Sequence, residues 1–298
     1  MKRYQSVLIL AFVWAAYYYS LGISNKLIDP FITGVVIRCF TFLVLGLWFV
    51  LSRKINLLIV KRRQLPLLLL IGCMGFLLDI TAFWGSKLGN AATGSILLKT
   101  DVVMVALLSI FIEKKRFSLF QWAMTFIMLA GVAVVLGLTP GAMAFHPSDL
   151  LFLLSAFFVS VNAFLIKAAQ RQGVENLVIA YYNNNMTLVL FVICVLVTGT
   201  GGQFALIGHS PSLVSALLVG AAGQFFVYIF YYDSLKKLPV WNVKTILLLI
   251  PIITLLYDFC LKGSVPTPQM IMGAMVVLIS AAIILFTEQK SSKEASIH

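Results

Sequence analysis

Residues 96–104 read ILLKTDVVM and lie in the middle of an apolar run from Ala91 to Ile112. The run is long enough to cross a bilayer as one helix. Placing a lysine or an aspartate near mid-membrane costs about 2.5–3.5 kcal/mol each on insertion scales, so such residues usually face a partner or a water-filled cavity. On a regular helix, Lys99 and Asp101 point roughly 200° apart. We therefore expect each to meet a different neighbouring helix, and the segment to form the wall of a polar path through a helix bundle.

The composition is typical of a membrane protein. Of 298 residues, 61% are hydrophobic and 11% are charged, whereas a soluble domain usually carries about 25% charged residues. The net charge of +12 lies mostly in short loops, where basic residues set topology, so it does not indicate a nucleic-acid partner. The four cysteines fall inside apolar runs without metal-ligand spacing, which favours buried thiols over disulfides or metal ligands.

Ten apolar segments of spanning length can be laid along the chain. They cover residues 4–22, 31–51, 65–86, 91–112, 118–138, 148–168, 177–198, 211–233, 240–262 and 267–287. Short connections separate them, several with proline or glycine, and no hydrophilic stretch is long enough for a soluble domain. The expected fold is an all-α polytopic membrane protein with ten transmembrane helices.

Basic residues predict the orientation of these spans. Of the 22 lysines and arginines, fifteen lie in one set of loops and termini, three in the opposite set and four within spans. Because basic residues accumulate on the cytoplasmic side, we expect both termini in the cytoplasm of a cell membrane, most simply a bacterial inner membrane.

A weak internal repeat divides the chain into two halves. Gly72 and Gly75 recur as Gly220 and Gly223, 148 residues later. Five spans repeated once have odd length, so the second copy must be inverted in the membrane, and inverted repeats are common in secondary transporters. We expect residues 1–140 to form the first five-helix repeat, 141–290 the inverted second repeat and 291–298 a cytoplasmic tail.

Several soft motifs follow one another in a specific order. They are Pro30 with Ile37-Arg38, Gly72-Cys73-Met74-Gly75, Ala91-Ala92, Leu107-Leu108-Ser109, Glu113-Lys114-Lys115, Leu129-Ala130-Gly131, Leu238-Pro239 and Ile250-Pro251. With these motifs the chain resembles the EamA-type members of the drug/metabolite transporter superfamily over essentially its whole length. The resemblance implies an inverted five-plus-five bundle that moves small metabolites by alternating access, with a cavity lined mainly by spans 1, 3, 4, 6, 8 and 9.

The chain departs from this family pattern at two places. Such proteins usually have a proline in the middle of the fourth span, where this chain has Lys99-Thr100-Asp101. The glutamate expected after the ninth span is replaced by Lys262-Gly263-Ser264. The first departure suggests a specialised substrate or coupling ion.

Depth within the spans sorts the candidate site residues. Arg38 and Asp79 lie at similar depth on spans 2 and 3, so we expect an ion pair that serves structure or coupling. Together with Lys99 and Asp101 they sum to zero charge, which a purely structural network would also show. Lys244 is a further candidate, although it lies within about a turn of the cytoplasmic face, where a lysine can snorkel to the headgroups.

Polar aromatic and amide side chains complete the expected substrate site. These candidates are Trp14, Tyr17, Asn162 and Tyr228. Trp48 and Trp241 are placed like interfacial belt residues. Lys99 and Asp101 together would suit a zwitterion such as an amino acid. If only one reaches the cavity, Lys99 indicates an organic anion and Asp101 a cation or a proton route.

The sequence therefore predicts a secondary transporter, an exporter of a small polar metabolite such as an amino acid or organic anion. No ATP-binding motif, histidine box or paired acid–base motif is present, so we expect no enzyme, cofactor or metal. Expected partners are the solute, the lipid bilayer, a coupling proton or ion, and a second copy in a homodimer. The alternatives are a non-transporting membrane scaffold and a membrane-embedded enzyme.

Overall fold

The computed structural model describes residues 4–89, 97–135, 146–263 and 265–294, which are helical with short connections and contain no strand. The helices are α1 (Gln5–Leu27), α2 (Pro30–Leu51), α3 (Leu65–Leu88), α4 (Asp101–Glu113), α5 (Leu119–Val135), α6 (Pro147–Arg171), α7 (Asn176–Thr198), α8 (Pro211–Lys237), α9 (Val240–Ile246), α10 (Ile250–Lys262) and α11 (Pro268–Glu294). Short 3₁₀ segments cover Ile55–Leu58, Thr200–His209 and Leu247–Leu249.

Within these ranges, seven helical segments are long and apolar enough to cross a membrane. They are α1, α2, α3, Ser148–Arg171 of α6, α7, α8 and the segment Val240–Leu261. Leu119–Val135 and Pro268–Ile284 are shorter apolar helices. Residues 91–96 of the predicted fourth span lie outside the described residues, and α4 is 13 residues long. A multi-pass, all-helical membrane protein is confirmed, while the number of ten spans stays a prediction.

Helix starts follow the local sequence. Proline occupies the first turn of α2, α6 and α8. A backbone N–H in the first turn has no partner within the helix, so proline loses no helical hydrogen bond there. The residues just before these prolines are Asp29, His146 and Ser210, and each accepts a hydrogen bond from a backbone N–H of the first turn. Such caps satisfy donors that a helix end leaves free.

The main helix contacts join the first five predicted spans to the last five. The most extensive contacts lie between α1 and α8, between α3 and α6, and between α5 and α11. Helix α2 packs on α7, and α4 packs on both α6 and α9. The interior is thus formed by pairs that bring the two parts of the chain together.

The repeated glycines lie at such contacts. A Cβ on Gly75 would collide with the side chain of Asn183 on α7. A Cβ on Gly223 would lie 3.1 Å from the Cβ of Tyr17 on α1. Both glycines therefore permit a close helix approach, which is how small residues pack helices in membranes.

Gly273 makes the closest glycine contact between α11 and α5. A Cβ there would lie 2.7 Å from both the Gly131 carbonyl oxygen and the Val135 backbone nitrogen. We expect Gly273→Ala to lower the unfolding free energy by about 1–3 kcal/mol through overpacking. The matched control is Gly46→Ala on α2, where a Cβ would meet nothing within 4 Å. Thermal unfolding of the purified variants checks this, and equal midpoints for both would contradict it.

Two segments that face the bundle interior are interrupted. Residues 97–99 are helical, a turn follows at Thr100, and α4 begins at Asp101. The Thr100 hydroxyl donates to the Leu97 carbonyl at 2.6 Å, and such side-chain bonds compete with the regular helix ladder. The expectation of one regular helix through Lys99 and Asp101 is therefore wrong. The ninth segment is also broken, by the 3₁₀ residues Leu247–Leu249 between α9 and α10.

Candidate functional site

Two adjoining cavities lie at the centre of the bundle. The larger, here the central cavity, has a volume of about 50 Å³ and is lined by α1, α2, α3, α6, α7 and α8. The smaller, here the lysine cavity, has a volume of about 10 Å³ and contains Lys99, Asp101 and Lys244. The two share Trp14, Tyr18, Leu78 and Val159. The central cavity has room for a few water molecules and the lysine cavity for about one, because a water needs roughly 10–15 Å³ of such volume.

Arg38 and Asp79 meet at the wall of the central cavity. Arg38 donates from Nη2 to an Asp79 carboxylate oxygen and from Nη1 to the Tyr228 hydroxyl. Arg38 and Asp79 are 3% and 4% exposed, and the Arg38 backbone carbonyl accepts a bond of 3.0 Å from the Asn184 amide. The structure thus brings together α2, α3, α7 and α8 around one buried ion pair, which joins three of the candidate residues.

Asp101 finds its partner on the ninth segment. Lys244 Nζ lies 2.8 Å from Asp101 Oδ2, and aromatic faces surround the ammonium, with ring centroids at 5.5 Å for Trp14 and 5.2 Å for Tyr231. The expectation that Lys244 can snorkel to the headgroups is wrong, since the residue is 1% exposed. Its ammonium contacts the first residue of α4 instead.

Lys99 lies in the same cavity without such a partner. It is 7% exposed, and no carboxylate of the described residues lies within ion-pair distance of its ammonium. Its closest recorded partner is the face of Tyr18, with the ring centroid 5.8 Å from Nζ. A cation over an aromatic face is attracted by about 0.5–2 kcal/mol, less than a buried ammonium loses on leaving water.

The buried charges do not sum to zero. Among the residues that line the two cavities, the buried charged side chains are Arg38, Lys99, Lys244, Asp79 and Asp101. With all five ionised, the interior carries one excess positive charge. The four charges considered from the sequence sum to zero, and the buried Lys244 adds one positive charge to them.

Uncommitted polar groups also face the central cavity. Within the described chain, the Tyr17 hydroxyl and the Asn162 Oδ1 atom are buried and have no hydrogen-bond partner. Both residues line the cavity beside Trp14 and Tyr228. A buried polar atom left unpaired costs about 1–3 kcal/mol, so these groups are suited to water or to a polar solute.

Two further residues behave differently from what the sequence suggests. Gln224 of α8 lines the central cavity and is 4% exposed. It is not among the candidates predicted from the sequence, although an amide directly after the repeated glycine Gly223 is a signal that could have indicated it. The expectation that Trp241 lies at the membrane interface is wrong, because the residue is 1% exposed. Its ring packs edge-on against Phe117, with the centroids 5.2 Å apart.

The described residues include no cluster of three or more histidine, cysteine, aspartate or glutamate side chains that could hold a metal ion. The side chains that line the two cavities offer ammonium, guanidinium, carboxylate, hydroxyl, amide and aromatic groups. All of these can hold a solute, and the ionised groups can compensate its charge.

Comparisons with known proteins cover nearly the whole chain. The model of the EamA-like transporter family matches residues 2–137 and again residues 146–286. No curated protein matches the chain. One solved structure, described only as the crystal structure of a protein, is similar with a TM-score of 0.74 and 17% identity, over 96% of this chain and 98% of that chain. At that identity the similarity concerns the fold alone.

Proposed function

Because the chain belongs to the EamA-like transporter family, a part of the drug/metabolite transporter superfamily, we propose that it is a secondary active transporter. Its cargo is a small polar metabolite such as an amino acid or an organic anion, which it exports by alternating access. Family members are transporters rather than enzymes. The observation that carries the proposal is the buried cavity pair lined by charged and aromatic groups at the bundle centre.

The size of the cavities supports alternating access. A volume of about 50 Å³ holds a few water molecules but not a metabolite. A solute therefore enters only after helices separate at one end, and it leaves after they separate at the other. The interrupted fourth and ninth segments lie beside the cavity, as discontinuous helices do at transporter sites near the midplane.

The proposed architecture has ten spans in two inverted repeats, residues 1–140 and 141–290, followed by the tail 291–298. Numbering the predicted spans 1–10, the contacts of span 1 with span 8 and of span 3 with span 6 exchange under a two-fold operation. The contacts of span 2 with 7, 4 with 9 and 5 with 10 map onto themselves. Two five-span repeats related by a two-fold axis give this pattern, which supports the division.

Each candidate residue receives a role in this proposal. Lys99, Asp101 and Lys244 form the substrate or coupling site, and Arg38–Asp79 serves as a structural ion pair or takes part in coupling. Trp14, Tyr17, Asn162 and Tyr228 line the substrate path. A proton or other ion driving transport, and a homodimer, complete the proposed partners.

We expect both termini on the cytoplasmic side of a bacterial inner membrane. The excess of fifteen basic residues over three on the opposite loops motivates this orientation. Alkaline phosphatase and a fluorescent reporter that folds only in the cytoplasm would be fused in turn after residue 290. Fluorescence without phosphatase activity is the expected result, and the reverse pattern would invert the topology.

Solute flux tests the proposal directly. The purified full chain is reconstituted into liposomes loaded in turn with radiolabelled amino acids, organic acids, sugar phosphates and organic cations. One class should leave faster than from protein-free liposomes, with saturation and competition by unlabelled solute. Absence of flux for every class would favour a non-transporting scaffold, and chemical conversion of a solute would favour a membrane-embedded enzyme.

A further inference from the structure

The lysine cavity contains more positive than negative side chains, and a ligand can compensate this excess of positive charge. Asp101 is paired with Lys244 at 2.8 Å, and Asp79 is paired with Arg38. Both interior carboxylates of the described chain are therefore occupied by a cation of the protein itself. Lys99 lies in the same cavity as Asp101 and Lys244, and among the described residues its contact is the ring of Tyr18.

We infer that the cargo of this transporter is an organic anion with an apolar body, and that its negative group binds Lys99. The inference rests on the proposed transport function and narrows it from small polar metabolites to one charge class. A single negative charge at Lys99 would bring the five buried ionised groups to electroneutrality, which favours binding because an uncompensated buried charge is strongly unfavourable.

Other charge classes fit the site less well. A cationic solute would have to separate a buried ion pair to reach Asp101 or Asp79, and it would add to the positive excess. A zwitterion such as an amino acid could place its carboxylate at Lys99, but its ammonium group would find no free carboxylate among the described residues. An anion makes its contact without breaking either pair.

The aromatic side chains that line the two cavities indicate the chemical nature of the uncharged part of the anion. Trp14 and Tyr18 stack with centroids 6.0 Å apart and an interplanar angle of 20°, and both line the two cavities. An anion held at Lys99 therefore extends past these rings into the central cavity, toward Tyr231 and the uncommitted hydroxyl of Tyr17. Flat or apolar groups pack well on such aromatic faces.

Three probes with one aromatic body and different charges test the inference: 3-phenylpropionate, phenylalanine and phenethylamine. Calorimetric titration of the full chain in lipid nanodiscs should show 3-phenylpropionate binding at least tenfold more tightly than the other two. Lys99→Met should weaken its binding roughly 10- to 100-fold, the range of one charge-assisted hydrogen bond, and Lys99→Arg should restore most of it. Lys26→Met is the matched control, because Lys26 is exposed in the last turn of α1.

Asp101→Asn separates the charge classes independently of the lysine variants. It removes the carboxylate that pairs with Lys244 and so raises the positive charge of the lysine cavity, which should make binding of 3-phenylpropionate several-fold tighter. A site for cations or zwitterions would lose its ligand in this variant. Size-exclusion profiles that match the wild type establish that each variant is folded.

Results that overturn the inference are distinct from those that overturn transport. If 3-phenylpropionate does not bind, or if it binds equally well to Lys99→Met, the assignment of an anion to Lys99 is wrong. If phenylalanine or phenethylamine is transported and depends on Asp101, the inference fails while the transport function stands. If no solute class crosses the membrane in the flux experiment above, the transport function itself fails.

Discussion

Replacing Arg38 by alanine should lower the unfolding free energy by about 3–5 kcal/mol, the cost of removing one partner from a buried ion pair. The Arg38 side chain is 4% exposed and the Asp79 side chain 6%. The charge left behind after the substitution therefore has little access to water. Asp79→Ala should cost a similar amount, because it strands the guanidinium. Both changes also disturb the bond from Arg38 to the Tyr228 hydroxyl.

A double-mutant cycle distinguishes this pair from two independent residues. The Arg38→Ala/Asp79→Ala protein should lose much less stability than the sum of the single changes, because no charge is left stranded. The control cycle uses Lys87 and Asp29, which lie 3.6 Å apart with the Lys87 side chain 34% exposed. Partly exposed pairs of this kind contribute about 0.2–1 kcal/mol. Unfolding in detergent mixtures gives both couplings, and additivity within about 0.5 kcal/mol at Arg38–Asp79 would exclude the pairing.

A membrane potential alone should concentrate a permanently charged anion about 50-fold per 100 mV on the positive side of the membrane. One elementary charge moved through 100 mV is worth about 2.3 kcal/mol, and about 1.4 kcal/mol corresponds to a factor of ten. The expectation applies to a carrier that moves an organic anion without a co-transported charge. In a cell whose interior is negative, the same force drives an anion outward, which agrees with export.

The measurement uses 2-phenylethanesulfonate, which stays ionised at neutral pH, in proteoliposomes with a valinomycin-induced potassium potential. Vesicles with a positive interior should accumulate the probe, and reversal of the potential should empty them. Lys99→Met should strongly slow the initial rate of accumulation, and Lys26→Met should leave that rate unchanged. Accumulation driven by a pH gradient but not by the potential would instead show that a proton accompanies the anion.

The sequence predicted the features that depend on local composition and on depth. Long apolar runs predicted the spanning helices, and similar depth on two neighbouring spans predicted that Arg38 and Asp79 could meet. On regular helices, depth follows from the rise of about 1.5 Å per residue. The multi-pass helical fold and the contact between Arg38 and Asp79 could therefore be predicted from the sequence.

The direction in which a side chain points from its helix, and the places where a helix is interrupted, could not be predicted from the sequence in the same way. Lys244 lies close to the end of its span by residue count, yet its ammonium points inward to Asp101. The turn at Thr100 changes the relation between Lys99 and Asp101, which line one cavity although two positions separate them. Both outcomes depend on which helix packs alongside, and pairing between distant segments is not contained in local hydrophobicity.

The narrowness of the cavities also affects how well the membrane holds its electrical gradient. A file of water across a hydrocarbon core about 30 Å thick needs on the order of ten molecules at hydrogen-bond spacing. Cavities of about 50 and about 10 Å³ hold fewer than that. In the state described here, these two cavities therefore do not by themselves form a continuous aqueous wire along which protons or small ions could cross the hydrocarbon core.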